Sequence, residues 1–363
     1  MGIRLNSRSW LILSVIVAAI VFAAERLLEP GTGGSLTIAM TVFLGLAEGA
    51  LVLMAGAEIS DGHWHKQLLP SVGVLQYLIP VSMLLFIINI PQLTMYPWIE
   101  HPGVWFNRNF FVARHLAVMA LMFVLARTFI THALRGSSST RFWGVLLTFF
   151  FVWHLTMIGI EWYMSIERPW FSTLFGAFVM VSAFLSGICT IAIILLGWRH
   201  RTDAPAKLIQ KSIGGLIFGF ATFWAYFFFS QLIVIWYGNI PEETGYAVRR
   251  LDETSAYHPI GWVIFVMIWM FPFIVLLSRK NKTRAFVTSA LGVIILTGVT
   301  MMFWLMLDPV VHVNIPLLAI EMALLAFLTA ALVRSKEDLV PALAGPQPVD
   351  TSHVAAHRGQ VSG

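Results

Sequence analysis

Acidic side chains and histidines lie inside long apolar runs of this sequence, where an ionised group is unfavourable. On insertion scales a charge inside lipid costs of order 3 kcal/mol, so these residues need a physical reason to be there. Carboxylates and imidazoles at different depths can pass protons to one another and to confined water. The candidates for such a proton relay are Glu48, Glu58, His154, Glu161, Glu321 and Asp308.

A second chemistry suits the same residue types. A histidine and a carboxylate that face a lipid-accessible pocket can hydrogen-bond a quinol hydroxyl and deprotonate it, as general bases do. His154 and Glu161 are seven residues apart, so one α-helix carries them on the same face, about 10 Å apart. Arg114 and His115 lie in the outer third of another apolar run. The alternative is that each polar residue ties two helices together by a hydrogen bond worth about 0.6–2 kcal/mol.

These residues must be positioned by helices that cross a membrane. Hydrophobic residues make up 58% of the 363 residues and charged residues 11%, against roughly 45–50% and 25% in soluble domains. Apolar runs of about 20 residues can span the ~30 Å hydrocarbon core. Ten such runs cover residues 9–24, 36–57, 69–90, 110–131, 142–164, 170–198, 213–236, 260–277, 284–307 and 315–333. The sequence therefore predicts an all-α integral membrane protein.

The distribution of basic residues sets the predicted orientation. Seventeen of the 23 Lys and Arg residues fall in segments on the side of the N-terminus, and the other six fall on the opposite side. By the positive-inside rule this predicts cytoplasmic N- and C-termini. The net charge of +5 comes from these short clusters, which argues against a nucleic-acid-binding protein.

The content of metal-ligating residues limits the cofactors. The single cysteine, Cys189, excludes an internal disulfide and a cysteine-ligated zinc or iron–sulfur site. A haem needs two histidines at similar depth on facing helices, and only His115 and His154 lie deep in the apolar runs. We therefore expect this chain to bind no metal and any metal redox centre to belong to a partner.

The two ends of the chain carry further expectations. Arg4 and Arg8 before the first apolar run also resemble a secretory signal peptide, although we expect the run to be retained as a short peripheral helix. Residues 1–34 then hold the N-terminus and the first helix, and residues 309–336 hold the last helix. Residues 337–363, rich in Pro, Ala, Gly and His, are expected to be a disordered cytoplasmic tail.

A short repeat suggests an internal duplication. Asn89-Ile90-Pro91-Gln92 ends the third predicted helix, and Asn239-Ile240-Pro241-Glu242 ends the seventh on the same side. A shift of four helices preserves orientation, as in a parallel duplication about an axis along the membrane normal. This predicts two four-helix bundles, at residues 35–165 and 166–308, with the first and last helices peripheral.

Two longer segments are predicted on the external side. Residues 94–109 carry Tyr96, Trp98, His101 and Trp105, which suit an aromatic belt at the headgroup level. Residues 238–259 carry six charged side chains. This charged loop either docks an external subunit or is simply solvated.

The seventh predicted helix carries a polar stripe through an aromatic segment. Tyr226, Ser230 and Tyr237 lie on one helix face, with Gln231 beside them. The stripe ends on the external side at the acidic residues Glu242 and Glu243. In the plainer interpretation the aromatic residues face lipid, and the Gly-Asn-Ile-Pro run only ends the helix. The candidates for a quinol pocket or a docking surface are His115, Arg114, Tyr226, Gln231, Trp236, Tyr237, Asn239, Glu242 and Glu243.

The end of this helix also carries a family resemblance. The run Ser230-Gln231 through Ile235-Trp236-Tyr237-Gly238-Asn239-Ile240-Pro241-Glu242-Glu243-Thr244 resembles a signature of ActF-type membrane subunits of bacterial alternative complex III, a quinol:electron-acceptor oxidoreductase. Those subunits belong to the wider NrfD/PsrC family of polysulfide-reductase-like membrane anchors. The ten helices, the cytoplasmic termini and the suspected duplication are similar to that family.

The resemblance implies a subunit of the bacterial inner membrane that supports quinol oxidation at the periplasmic side and proton translocation, and that is not catalytic alone. The chain itself then holds no cofactor apart from a quinol or quinone, and the iron–sulfur clusters and haem c belong to partner subunits. The implied partners are a second NrfD-like subunit of ActC type, which is the better candidate for quinol oxidation, a periplasmic iron–sulfur subunit of ActB type, and haem c subunits.

Two other functions stay open. Duplicated bundles with mid-membrane carboxylates also suit an ion-coupled secondary transporter. Against it, a Gly or Pro break at mid-depth is missing from most helices, with Pro80 and Pro272 as the exceptions. The third interpretation is a passive membrane anchor for the periplasmic subunit.

Overall fold

Ten helices among the residues that the computed structural model describes are long and apolar enough to cross a bilayer. The structure describes residues 6–28, 33–62 and 64–344, and no strand occurs among them. In chain order the helices are α1 (Ser7–Leu28), α2 (Gly34–Ile59), α3 (Leu69–Met95), α4 (Arg108–Arg135), α5 (Thr140–Ile166), α6 (Phe175–Trp198), α7 (Ala204–Gly238), α8 (Pro241–Leu251), α9 (His258–Leu277), α10 (Ala285–Val311), α11 (Ile315–Arg334) and α12 (Lys336–Ala344). All but the short α8 and α12 are spans. The predicted all-α integral membrane protein is confirmed.

The two sides of the bundle are named here by the chain itself. Because the number of spans is even, α1 begins and α11 ends on the same side, which we call the N-terminal face. The other side, where α1 ends and α2 begins, is the opposite face. Helix α8 lies on the opposite face and helix α12 on the N-terminal face.

Helix α2 lies at the centre and packs most extensively against α6. Glycines allow the two backbones to approach closely. A Cβ atom added at Gly187 would lie 2.2 Å from the backbone nitrogen of Ala50, and one added at Gly49 would lie 2.5 Å from the carbonyl oxygen of Ala183. Gly45 and Gly49, like Ala183 and Gly187, are four residues apart, which is the small-residue spacing that membrane helices use for close packing.

The segment between α3 and α4 folds back over the bundle. Tyr96 and Trp98 are buried rather than placed in a belt at the headgroup level, so that prediction is wrong for these two residues. The Tyr96 hydroxyl donates to the Trp162 carbonyl at 3.2 Å, and the Trp98 indole donates to the Ser165 hydroxyl at 3.2 Å. The Tyr96 hydroxyl and the Trp98 indole N–H form hydrogen bonds inside the protein, so they do not need water or headgroups as partners. We call residues 96–107 the cover segment.

The charged segment 238–259 is not simply a solvated loop. Most of its first half forms α8, which packs against α7, α9 and α10 and buries the side chain of Arg250. Its role in docking a subunit stays a prediction.

The expectation of a disordered tail is wrong for its first residues. Residues 336–344 form α12, which packs against α3 and α4. The Lys336 ammonium donates to the Ser71 hydroxyl at 2.9 Å, and Leu339 is fully buried. These contacts hold the helix against the bundle. The rest of the expected tail, 345–363, lies outside the described residues.

The two copies of the short repeat differ in local structure. Asn89 is buried in α3, has right-handed helical backbone angles and donates to the Thr37 hydroxyl at 3.0 Å. Asn239 is exposed and adopts the left-handed conformation, with φ of 45°, at the end of α7. Asn89 therefore lies within α3 whereas Asn239 follows the last residue of α7, and the duplication stays a prediction.

The contact between α2 and α6 makes a testable prediction. Replacing Gly187 by Ala is expected to lower the free energy of unfolding by about 1–3 kcal/mol, because the added methyl meets backbone atoms that cannot rotate away. Gly56→Ala in α2 is the matched control, since no heavy atom lies within 4 Å of its added Cβ. Thermal unfolding of the purified chain in detergent, followed by circular dichroism, compares the two. Equal melting temperatures would contradict the close backbone contact.

Candidate functional site

A buried carboxylate near the opposite face, Glu161 of α5, is surrounded by nitrogen donors. Its Oε2 atom lies 2.6 Å from Nη2 of Arg114 and 2.8 Å from Nε2 of His115, both on α4. Its Oε1 atom accepts a 2.9 Å hydrogen bond from the indole nitrogen of Trp105 in the cover segment. Glu161 is fully buried, whereas 46% of Trp105 is exposed. We call these four residues the outer cluster.

The Arg114 guanidinium fixes the position of Trp105 relative to Glu161. Its central carbon lies 4.3 Å from the Trp105 ring and 4.7 Å from the Phe110 ring. Its Nη1 atom also donates to the Trp105 carbonyl at 3.2 Å. Cation–π contacts and a charge-assisted bond to the carboxylate therefore act on one side chain. The half-exposed indole is held at Glu161 by the same arginine that pairs with the carboxylate.

The Nε2 atom of His115 contacts one acceptor and one donor. It lies 2.8 Å from Glu161 Oε2 and 3.2 Å from the indole nitrogen of Trp162. An indole N–H can only donate, and a carboxylate can only accept. With a proton on Nε2 the ring donates to Glu161, and without it the ring accepts from Trp162. The two contacts suit the two protonation states, so a proton can pass between Glu161 and His115 across one hydrogen bond.

A second buried pair, Glu48 and His154, lies at mid-depth. The Nδ1 atom of His154 is 3.0 and 3.1 Å from the two carboxylate oxygens of Glu48, and both side chains are fully buried. The Nε2 atom of His154 is buried and has no hydrogen-bond partner among the described residues. We call these two residues the inner pair. Pairing reduces the penalty for placing a carboxylate at this depth.

Local helix geometry separates the two sites. Glu161 lies in a π-helical turn, Gly159–Tyr163. Such a turn holds an extra residue, which rotates the following side chains around the helix axis. His154 precedes the turn and bonds to α2, whereas Glu161 bonds to α4 and the cover segment. The seven-residue spacing alone therefore does not identify their partners.

The relay candidate Glu58 lies apart, at the N-terminal face. Its Oε2 atom is 2.9 Å from Nε2 of His65, which is fully buried. Burial lowers the pKa of the His65 imidazole, and the contacts with Gly62 and Glu58 only partly offset this effect. His65 was not among the predicted site residues.

Asp308 and Glu321 lie near the opposite face but outside the outer cluster. Asp308 accepts a 2.7 Å hydrogen bond from the Tyr257 hydroxyl and another of 2.7 Å from the Val313 backbone N–H. Burial and the bond to Asp308 raise the pKa of Tyr257 to about 12, so its hydroxyl remains a donor. These bonds fix the turn between α10 and α11. Glu321 is fully buried in α11, about 9 Å from the start of that helix.

The aromatic residues predicted on the polar stripe of α7 do not form a pocket. Tyr226, Trp236 and Tyr237 are 63%, 78% and 86% exposed. Asn239 and Glu242 are also exposed, and Glu243 is half-buried. These side chains form an outer surface that faces lipid or a partner.

Gln231, which is also on the stripe, lines a cavity. The cavity has a volume of about 60 Å³ and also contacts Arg250 of α8. Such a volume holds a few water molecules and is well below the roughly 300 Å³ of a small ligand pocket. Gln231 therefore lies in a small, mostly apolar cavity between α7, α8, α9 and α10.

Arg250 anchors α8 to the bundle. Its guanidinium donates to the carbonyls of Leu305 at 3.0 Å, Met306 at 2.8 Å and Tyr246 at 3.1 Å. It also pairs with the buried carboxylate of Glu167 at the end of α5. The sequence analysis placed Arg250 in a charged loop. The one signal of its burial was Glu167, an acidic residue that directly follows α5.

Among the described residues, no group of three or more His, Cys, Asp or Glu side chains is placed to hold a metal ion. The two deep histidines, His115 and His154, each contact a carboxylate instead. Trp105, which bonds to Glu161, was predicted only as a belt residue. Its distance from Glu161 in the sequence gave no signal of the contact.

Two adjacent arginines allow a direct comparison of buried and exposed ion pairs. Arg250→Gln should cost about 3–5 kcal/mol of stability, because the Glu167 carboxylate loses its buried partner. In Arg249, 52% of the side chain is exposed, and it lies 2.9 Å from the same carboxylate. Arg249→Gln should cost at most about 1 kcal/mol. Thermal unfolding of both variants tests this, and a larger loss for Arg249→Gln would contradict the anchoring role of Arg250.

Comparison with known proteins adds no assignment to this geometry. No protein-family model matches the sequence, and no curated protein matches it either. The function is therefore argued from the placement of the side chains.

Proposed function

We propose that this chain is a membrane subunit of a quinol:electron-acceptor oxidoreductase of the cytochrome c-reducing type in an electron-transport chain. The observation that carries the proposal is the outer cluster. A buried carboxylate near one membrane face is bonded to a histidine and an arginine, and also to a half-exposed indole. Quinol is lipid-soluble, and Trp105 lies where a molecule at the membrane edge approaches Glu161.

The chemistry asked of the outer cluster is proton acceptance. A quinol hydroxyl takes the place of the Trp105 indole as hydrogen-bond donor to Glu161 Oε1, within the reach that a general base requires. Oxidation of quinol to quinone releases two protons and two electrons. Glu161 takes one proton and passes it to His115 across their 2.8 Å contact, which frees the carboxylate to take the second proton. An iron–sulfur or haem c centre held by a partner subunit would accept the two electrons.

The inner pair supports a role in proton translocation. His154 and Glu161 lie on the same helix, seven residues apart, which corresponds to about 10 Å of membrane depth. The buried Nε2 atom of His154 is the unpaired end of the inner pair among the described residues. Protons then move between the outer cluster and mid-depth along α5, with confined water bridging the gap.

Orientation and partners follow from charge and exposure. The excess of Lys and Arg supports an N-terminal face in the cytoplasm of a bacterial inner membrane and an opposite face in the periplasm. The exposed Tyr226, Trp236 and Tyr237 then form a surface for a second NrfD-like subunit. The exposed Glu242, beside them, faces a periplasmic iron–sulfur subunit of ActB type and haem c subunits.

An ion-coupled transporter is the second candidate, because the inner pair places a carboxylate at mid-depth. Transporter sites are typically formed by discontinuous helices. Helix α2, which carries Glu48, is one continuous helix from Gly34 to Ile59. Uptake of a labelled ion by the chain in liposomes, abolished by Glu48→Gln, would support this candidate over the first.

The central test removes the proposed base. Glu161→Gln keeps the size of the side chain but cannot accept a quinol proton, so quinol-dependent reduction of cytochrome c should fall by about 10²–10⁴-fold. The measurement uses membranes that contain the complete complex, with assembly checked by the amount of co-purified partner subunits. Asp61→Asn is the matched control, because this carboxylate is exposed and pairs with Arg141 at the N-terminal face.

Two outcomes would count against the proposal. Unchanged turnover in an assembled Glu161→Gln complex would leave this chain as a passive anchor. The Trp105→Phe variant keeps the ring and removes the N–H, so an unchanged KM for quinol in that variant would argue against entry at the cover segment.

A further inference from the structure

A wedge-shaped groove opens between α10 and α11, on the side of α2 away from the inner pair. The two helices are joined by a short turn at the opposite face, which Asp308 fixes through the Val313 N–H. Below this turn they separate: α11 packs against α1 and α2, whereas α10 packs mainly against α6 and also against α2 and α9. Helices α2 and α6 form the floor. The groove has a volume of about 880 Å³, at the upper end of the roughly 300–1,000 Å³ range of ligand pockets.

The walls of the groove are apolar. Small residues of α11, Ala319, Ala323, Ala326 and Ala330, line one side and leave the space open. They lie on one face of the helix at spacings of three and four. Residues of α11 line the groove from Ile315, its first residue, to Arg334, its last. The groove is therefore about 30 Å long, which equals the thickness of the hydrocarbon core.

The few hydroxyl groups in the walls are already used as donors within their own helices. Thr190, Thr297, Thr300 and Thr329 each donate to a carbonyl four residues earlier, at 2.8–3.0 Å. The inner part of the groove therefore offers little to a polar ring or headgroup. It suits saturated or unsaturated hydrocarbon chains.

Charge is concentrated at one end of the groove. Arg199 and Arg334 line it at the N-terminal face, and both side chains are exposed. The neighbouring Arg201 is already paired with Asp203 at 2.8 Å and lies outside the lining. Two cations at the mouth of a hydrocarbon-lined groove match the two parts of an anionic phospholipid.

We propose that this groove is a binding site for an anionic phospholipid from the leaflet at the N-terminal face. The phosphate of the headgroup binds Arg199 and Arg334, and the acyl chains fill the wedge between α10 and α11. The lipid completes the packing of α11, whose main contacts among the described residues are with α1, α2, the first part of α3 and α12. This site is independent of the outer cluster and of quinol chemistry.

The test measures lipid binding to the purified, delipidated chain. Phosphatidylglycerol and phosphatidylcholine of equal chain length are titrated, with native mass spectrometry to count bound lipid and thermal unfolding to measure stabilisation. We expect the wild-type chain to bind phosphatidylglycerol about tenfold more tightly than phosphatidylcholine. Arg199→Gln with Arg334→Gln should abolish this preference. Lys207→Gln with Lys211→Gln is the matched control, since it removes the same charge from the same face outside the groove.

A second variant tests the hydrocarbon part of the site without changing charge. Ala323→Leu with Ala326→Leu fills the groove and should reduce the lipid that co-purifies, whatever its headgroup.

Several results would overturn the proposal. One is unchanged phosphatidylglycerol binding in the double arginine variant, and another is equal binding of the two lipids by the wild type. Stabilisation by inorganic phosphate alone, equal to that by the lipid, would indicate a free-anion site instead. A photoreactive group at Thr297 that captures a polypeptide in native membranes, rather than lipid, would show that a partner helix fills the groove.

Discussion

The backbone contact between α2 and α6 is the constraint on which the other helices depend. Gly49 and Gly187 remove the side chains that would separate the two helices, so the fully buried α2 and the mostly buried α6 form the axis of the bundle. In lipid no hydrophobic driving force brings helices together, and close van der Waals packing has to supply much of the association energy. Glu48 lies between Gly45 and Gly49 in the sequence, so the same contact that fixes α2 also fixes the direction in which its carboxylate points. The inner pair is therefore a consequence of the central contact.

Much of the fold could be predicted because the bilayer restricts it so strongly. Every span must satisfy its own backbone hydrogen bonds and present about 20 apolar residues, and the ten runs in the sequence met both conditions. The burial of Glu48, His154, Glu161 and Glu321 was predictable for the same reason, since each lies within a span and is fully buried. Which partner each would have was not predictable. The π turn at Gly159–Tyr163 packs against α6, where Gly159 approaches Gly176, and Glu161 within this turn bonds to α4.

The segments between spans were predicted least well. Hydropathy identifies what lies in lipid, but it does not distinguish a polar or aromatic loop residue in water from one that folds back onto the bundle. Tyr96, Trp98 and Arg250 all return to the interior, because each finds hydrogen-bond acceptors there that offset the loss of water. Tertiary contacts of this kind join residues that are far apart in the sequence, and no local pattern marks them. As a result the sequence analysis identified Glu161 but missed its contact with Trp105, the half-exposed residue of the outer cluster.

The inner pair and the groove between α10 and α11 lie on opposite sides of α2. Glu48 points to α5 and the inner pair, whereas Val42 and Leu46 line the groove between α10 and α11. Because α2 is held against α6 at the backbone level, it cannot shift to accommodate changes on either side without disturbing the other. A lipid in the groove would support one side of this axis, and Glu48 and His154 occupy the other. Any movement of α2 at the groove would therefore also move the Glu48 carboxylate.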